Sequence, residues 1–215
     1  MKRLFGTICS FIWILLFSSC TSFLPEFERI EALDKNEHRL ATGAYGGARY
    51  AILDGGLLDG DHTTEIKAGA AAFHSVGITN KIAWSSIVTA GIISDGVRGS
   101  GNQFSLTTGP KISLSPNLAF STPVLITNAK DDGEYSYNYW LPTIYYQHPS
   151  WDKGDFKTLI FVREEIIFGD EFGLAFGTPT YGIKIENNLP YHPSVNANVS
   201  LIGIYLGITM DLSRE

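Results

Sequence analysis

From Gly43 onward the chain alternates large apolar residues with small or polar ones, the period of a β-strand. Near the C-terminus Ile202, Ile204, Leu206, Ile208, Met210 and Leu212 share one face. Leu201, Gly203, Tyr205, Gly207, Thr209 and Asp211 share the other. The same division places Phe104, Leu106, Thr108, Pro110, Ile112 and Leu114 opposite Gln103, Ser105, Thr107, Gly109, Lys111 and Ser113. It recurs over 118–127, and over Phe172, Leu174 and Phe176 against Gly173, Ala175 and Gly177. The second face is built mostly of Gly, Ala, Ser and Thr. A soluble sandwich would turn large residues inward and charges to water. A face of small side chains suits the converging centre of a narrow barrel, with the bulky face turned to hydrocarbon. The inside-out assignment is preferred on this ground, and it fixes every later inference.

The pattern predicts strands at 44–53, 64–76, 81–93, 102–114, 118–127, 135–147, 157–168, 171–184 and 198–212. That is nine, whereas a single-chain bacterial barrel has an even number. The fold class expected is all-β, an antiparallel up-and-down β-barrel of about 8–10 strands, occupying 43–215. Tight turns at 78–82, 114–118 and 168–172 alternate with longer polar loops at 54–63, 94–101, 128–134 and 149–155. This architecture resembles small outer-membrane β-barrel proteins, a likeness that carries no functional residues. Tyr135, Tyr137, Tyr139, Trp140, Tyr145 and Tyr146 are candidates for an interfacial aromatic belt, or for cross-strand packing.

Ahead of this domain, Lys2 and Arg3 are followed by an apolar run from Leu4 to Phe17, too short to span a membrane. Ser18, Ser19 and Cys20 follow. Phe17-Ser18-Ser19-Cys20 resembles the lipobox of bacterial lipoprotein precursors. The resemblance implies that residues 1–19 are a signal peptide, cleaved between Ser19 and Cys20. It further implies diacylglyceryl on the Cys20 sulfur and an acyl (palmitate-type) chain on the new amino group. The partner so implied is membrane lipid, and the location an anchored one at the bacterial outer membrane. Several chains exceed what reversible attachment needs. Residues 20–42 then form a tether. Glu26 to Arg39 could hold one short helix, with Phe27, Ile30 and Leu33 on one side and a Glu31–Lys35 pair. A solvated linker and a barrel plug are the two readings of this segment, the linker preferred.

Removing residues 1–19 leaves fourteen basic against twenty-two acidic side chains, a net charge of −8. This excludes nucleic acid as a partner, and electrostatic adhesion to anionic lipid. Of the two cysteines, the resemblance implies removal of Cys9 and acylation of Cys20, which would leave no disulfide or thiolate site.

The five histidines, His38, His62, His74, His148 and His192, show no metal-ligand spacing, and no cofactor motif is present. Arg163, Glu164 and Glu165 interrupt an apolar strand, with Arg163 and Glu165 on one face. With Arg49, Lys111 and Asp211 they are candidate lumen charges, filling a barrel or lining a narrow pore. No catalytic set can be assembled from spacing. The functional expectation is a lipid-anchored outer-membrane barrel with a structural, adhesive or minor transport role. The alternatives are a lipidated lipocalin-like carrier of an apolar small molecule, and a barrel enzyme that modifies lipid.

Overall fold

The structure, a computed structural model, describes residues 26–54, 61–95, 99–130, 134–169, 173–176, 179–187, 189, 191–200 and 203–213. Fourteen strand segments are present among them: β1 (His38–Asp54), β2 (Asp61–Thr79), β3 (Ile82–Asp95), β4 (Gly99–Ser115), β5 (Leu118–Ser121), β6 (Val124–Lys130), β7 (Glu134–Trp140), β8 (Thr143–Tyr146), β9 (Phe156–Arg163), β10 (Ile166–Gly169), β11 (Gly173–Phe176), β12 (Thr180–Asn187), β13 (Pro193–Val199) and β14 (Gly203–Asp211). A single 3-10 turn, Pro149–Trp151, follows β8.

All pairings are antiparallel, and ten strands close a ring in the order β1-β2-β3-β4-β5-β8-β9-β12-β13-β14 and back to β1. The remaining segments, β6, β7, β10 and β11, continue four of those strands beyond a line of breaks. The breaks fall at Thr122-Pro123, Leu141-Pro142, Glu164-Glu165 and ahead of Thr180. Proline brings no N–H to a ladder, so two of them have a local cause. Leu141 N–H donates to the Pro123 carbonyl at 2.9 Å and Glu164 N–H to that of Pro142 at 2.9 Å, stitching across the line.

The even count resolves the ninefold sequence pattern. The strand missing from the expected nine is β13, ahead of the stretch expected over 198–212, because it carries Asn196 and Asn198 where a strand signal needs apolar or β-branched residues. Strands are also longer than the pattern suggests. β1 starts at His38, five residues before the expected domain boundary, and β2 runs for 19 residues. The polar stretch 94–101 is largely strand, its Asp95 paired with Gly99. The tight turns at 79–82 and 115–118 are present, Thr79 Oγ1 accepting from Lys81 and Ile82 N–H. Residues 170–172 of the third turn lie outside the described residues.

Accessibility follows the alternation. Ile204, Leu206 and Ile208 are 62%, 62% and 55% exposed, while Tyr205 and Gly207 between them and Thr209 after them are buried. Ile66, Val88, Ile92, Phe104, Ile144, Val162, Ile183 and Val195 repeat this on other ring strands, and Ile126 on β6. The sheet is therefore apolar outside and polar inside. Not every inward residue is small, however. Tyr145, Tyr205, Phe161 and Phe73 also point in. Room for them comes from glycines on neighbouring strands. A Cβ at Gly182 would lie 2.0 Å from the Phe161 ring, and one at Gly47 would lie 2.3 Å from that of Tyr205.

Of the expected aromatic belt, Trp140 and Tyr146 face outward, while Tyr139 and Tyr145 are buried inside. The side chains of Tyr135 and Tyr137 lie outside the described set. The parity of the strand decides this, since adjacent residues cannot share a face. An outward aromatic group does occur at the rim where β1 begins: Tyr146 and Trp151 meet edge-on at 6.2 Å, with Trp84 and Phe156 also exposed.

Candidate functional site

The segment ahead of β1 sits inside the barrel. Residues 26–37 hold no helix, and Glu26, Phe27, Glu28, Arg29 and Ile30 are all buried. Both the short helix and the solvated tether expected here give way to an extended plug. A helix this short is marginal on its own. The barrel wall supplies the alternative by donating hydrogen bonds to the extended backbone. Lys184 Nζ donates to the carbonyls of Phe27 at 3.1 Å and Glu28 at 2.9 Å. Lys111 Nζ donates to the Glu31 carbonyl at 3.0 Å and Ser113 Oγ to that of Ile30 at 3.0 Å. Asn196 Nδ2 reaches the Glu26 carbonyl at 3.4 Å.

Side chains of the plug are paired as closely. Glu26 Oε2 accepts from Arg163 Nη2 at 2.6 Å, and both groups are almost fully buried. Glu26 Oε1 also accepts from the Glu28 N–H at 2.8 Å. Arg29 bridges Glu186 at 2.5 Å and Asp211 at 2.9 Å. Asp211 in turn holds Arg39 at 2.8 Å. The Phe27 ring stacks on Phe73 with centroids 5.3 Å apart and planes 7° apart. Glu31 pairs with Lys157 rather than Lys35. Partial burial raises the Glu31 carboxyl, but the Lys157 ammonium and a backbone N–H outweigh this and hold it at about 2.

From Glu26 the chain descends to the rim where β1 begins and reverses there. Asn36 N–H donates to the Gly77 carbonyl at 2.8 Å, and Gly77 N–H to that of Glu37 at 2.9 Å. Asn36 takes a left-handed φ of 66°, which asparagine tolerates. A side chain at Gly77 would meet the Asp34 carbonyl at 1.9 Å. The segment leaves a cavity of about 360 Å³ at this rim, between Glu28, Arg29, Lys111 and Asp211. Deeper in, about 20 Å³ remains beside Glu26, Thr107, Tyr145 and Arg163, room for about one water.

The five charges singled out in the sequence all lie on the inner face, in separate groups. Arg163 binds Glu26 of the plug, and Glu165, 0% exposed, accepts from Thr180 Oγ1 at 3.5 Å. Lys111 faces the plug carbonyls, and Asp211 the two arginines. Arg49 stands apart toward the opposite rim, where it and Lys67 hold Glu65 at 2.8 and 3.3 Å. Sequence reasoning did not place Glu26, Glu28, Arg29, Arg39, Glu65, Lys67, Lys157, Lys184 or Glu186 among the lumen charges. Strand parity carried a signal for some of them. Glu65-Ile66-Lys67 and Lys184-Ile185-Glu186 each place two charges opposite an isoleucine.

Cys20, Ser19 and the segment before them lie outside the described residues. An apolar-lined carrier cavity needs the large aliphatic residues inside, and Ile204, Leu206 and Ile208 are outside. Among the described residues, no three His, Cys, Asp or Glu side chains gather as metal ligands would. No helix among them is long and apolar enough to cross a membrane, which leaves crossing by strands untouched. No protein-family model matches the chain, and no characterised protein is significantly similar to it.

Proposed function

We propose that the protein is an outer-membrane β-barrel, anchored additionally by lipid on Cys20, whose lumen is closed by its own residues 26–34. Its role is structural, adhesive or one of minor transport. The observation that carries this reading is the polarity of the wall. Outward residues of the ring are predominantly apolar, large on β3, β4, β8, β9, β12, β13 and β14 and mostly alanine on β1 and β2, while inward ones carry eleven charged groups among the described residues. A continuous apolar exterior of this extent is an aggregation liability in water and the ordinary surface of a barrel in lipid. The aromatic group of Trp84, Tyr146 and Trp151 at one rim suits the interface between hydrocarbon and water. The lipobox supports the anchor.

The mature chain with Cys20→Ser tests the two parts separately. Retention by detergent or vesicles without acylation is expected of the strands. Incorporation of an alkyne fatty acid is expected only with Cys20 intact. A chain without acyl groups that stays monomeric in detergent-free buffer would defeat the membrane reading.

A further inference from the structure

The plug and the wall that holds it carry opposite net charge. Among the described inward wall residues, seven cations, Arg49 and Lys157 included, stand against four acids. The plug, residues 26–34, carries Glu26, Glu28, Glu31 and Asp34 against the single Arg29. The excess of three positive charges on the wall is thus met by an excess of three negative charges on the segment. Four wall cations, Lys111, Lys157, Arg163 and Lys184, spend donors on the plug itself. Arg163 Nη1 has no further hydrogen-bond partner in the described structure, and it lines the small cavity beside Glu26.

We propose that the barrel is a plugged conduit for small anions, with residues 26–34 as the gate; this rests on the membrane reading above. In the closed state Glu26 and the plug carbonyls occupy the places an anion would take. Withdrawal of the segment vacates a slot as wide as an extended chain with its side chains, about 5 by 10 Å. It leaves Lys111, Lys157, Arg163 and Lys184 without their plug partners in a water-filled lumen. A lumen lined by excess Arg and Lys selects anions by favouring their entry over that of cations.

The test uses the full mature chain with Cys20→Ser and Phe27→Cys, reconstituted in planar bilayers under a potassium chloride gradient. In this chain the label at position 27 should be shielded and the conductance near zero. Adding Glu26→Lys and Glu28→Lys sets like charges against Arg163, Lys184 and Lys111. The label should then react, and channels should open that pass chloride several times more readily than potassium. Arg163→Gln with Lys184→Gln in that background should abolish the preference. If the double charge reversal prevents folding, Glu26→Lys alone serves.

Three results overturn the proposal. One is a label that stays shielded, because charge complementarity would then not seat the plug. The second is a reactive label without conductance. The third is conductance that favours potassium. In all three the protein enters the bilayer and the membrane reading stands. Failure to enter lipid at all would instead defeat that underlying reading.

Discussion

Leu206→Arg separates a wall that faces hydrocarbon from one that faces water. Leu206 lies at the centre of the sheet in both directions, paired with Gly46 in the middle of β1 and with Ala197 in the middle of β13. It is 62% exposed and touches no lumen group. In water a substitution at such a site changes stability by about 0.5 kcal/mol or less. At the bilayer midplane an outward arginine costs about 2–4 kcal/mol. That corresponds to about a 30- to 700-fold loss in the folding equilibrium. The neighbouring inward residue provides the control. Tyr205 packs over Gly47 and Gly203. Tyr205→Ala should therefore cost about 3–5 kcal/mol, as loss of a buried aromatic does, whatever surrounds the barrel. The assay is urea titration of folding into phospholipid vesicles, read by tryptophan fluorescence and by heat-modifiable migration. Leu206→Arg within about 0.5 kcal/mol of the parent in vesicles would refute the argument, because the bulky face would then not meet lipid.

Glu26→Ala removes the partner of a buried guanidinium. The unfolding free energy should fall by about 3–5 kcal/mol, and Glu26→Ala with Arg163→Met should recover a large part of it. Gly182→Ala should cost about 1–3 kcal/mol by overpacking, since the buried Phe161 ring lies beside Tyr145 and under Arg163 and has no room to swing away. Phe161→Leu in that background should lessen the loss, read by the same urea titration. Glu31 is held at about 2, below its unfolded value, so its contribution is fully present above that unfolded value and disappears as pH falls toward 2. Thermal unfolding followed between pH 5 and 2 should lose this component in Glu31→Gln, which starts lower and falls less.

The inside-out sheet was legible because a strand has only two faces, and Ile204, Leu206 and Ile208 alternate without a break against Tyr205, Gly207 and Thr209. The same rule marks Arg163, Glu165, Lys111, Asp211 and Arg49 as inward once the outer face is known. It fails where composition masks the period. Asn196 and Asn198 hid β13 because asparagine is poor in strands, although both residues face the lumen and Asn196 binds the plug. Tyr139 and Trp140, or Tyr145 and Tyr146, cannot serve one belt, and their assignment needed the register rather than the residue type.

The plug was beyond local reasoning for a different reason. Glu26 to Glu31 has the composition of a solvated linker, and nothing within it states that two of its acids and an arginine will be buried. Its place depends on partners from 80 to 180 residues away, such as Lys111, Arg163, Lys184 and Asp211. These become a matched set only when the ring closes around them. Alternation along the chain thus determined which side of the sheet is apolar, because that property belongs to each strand alone. Closure determined what the polar side holds. A lumen has no existence in any single strand, and the free energy of a buried charge is set by the groups that surround it.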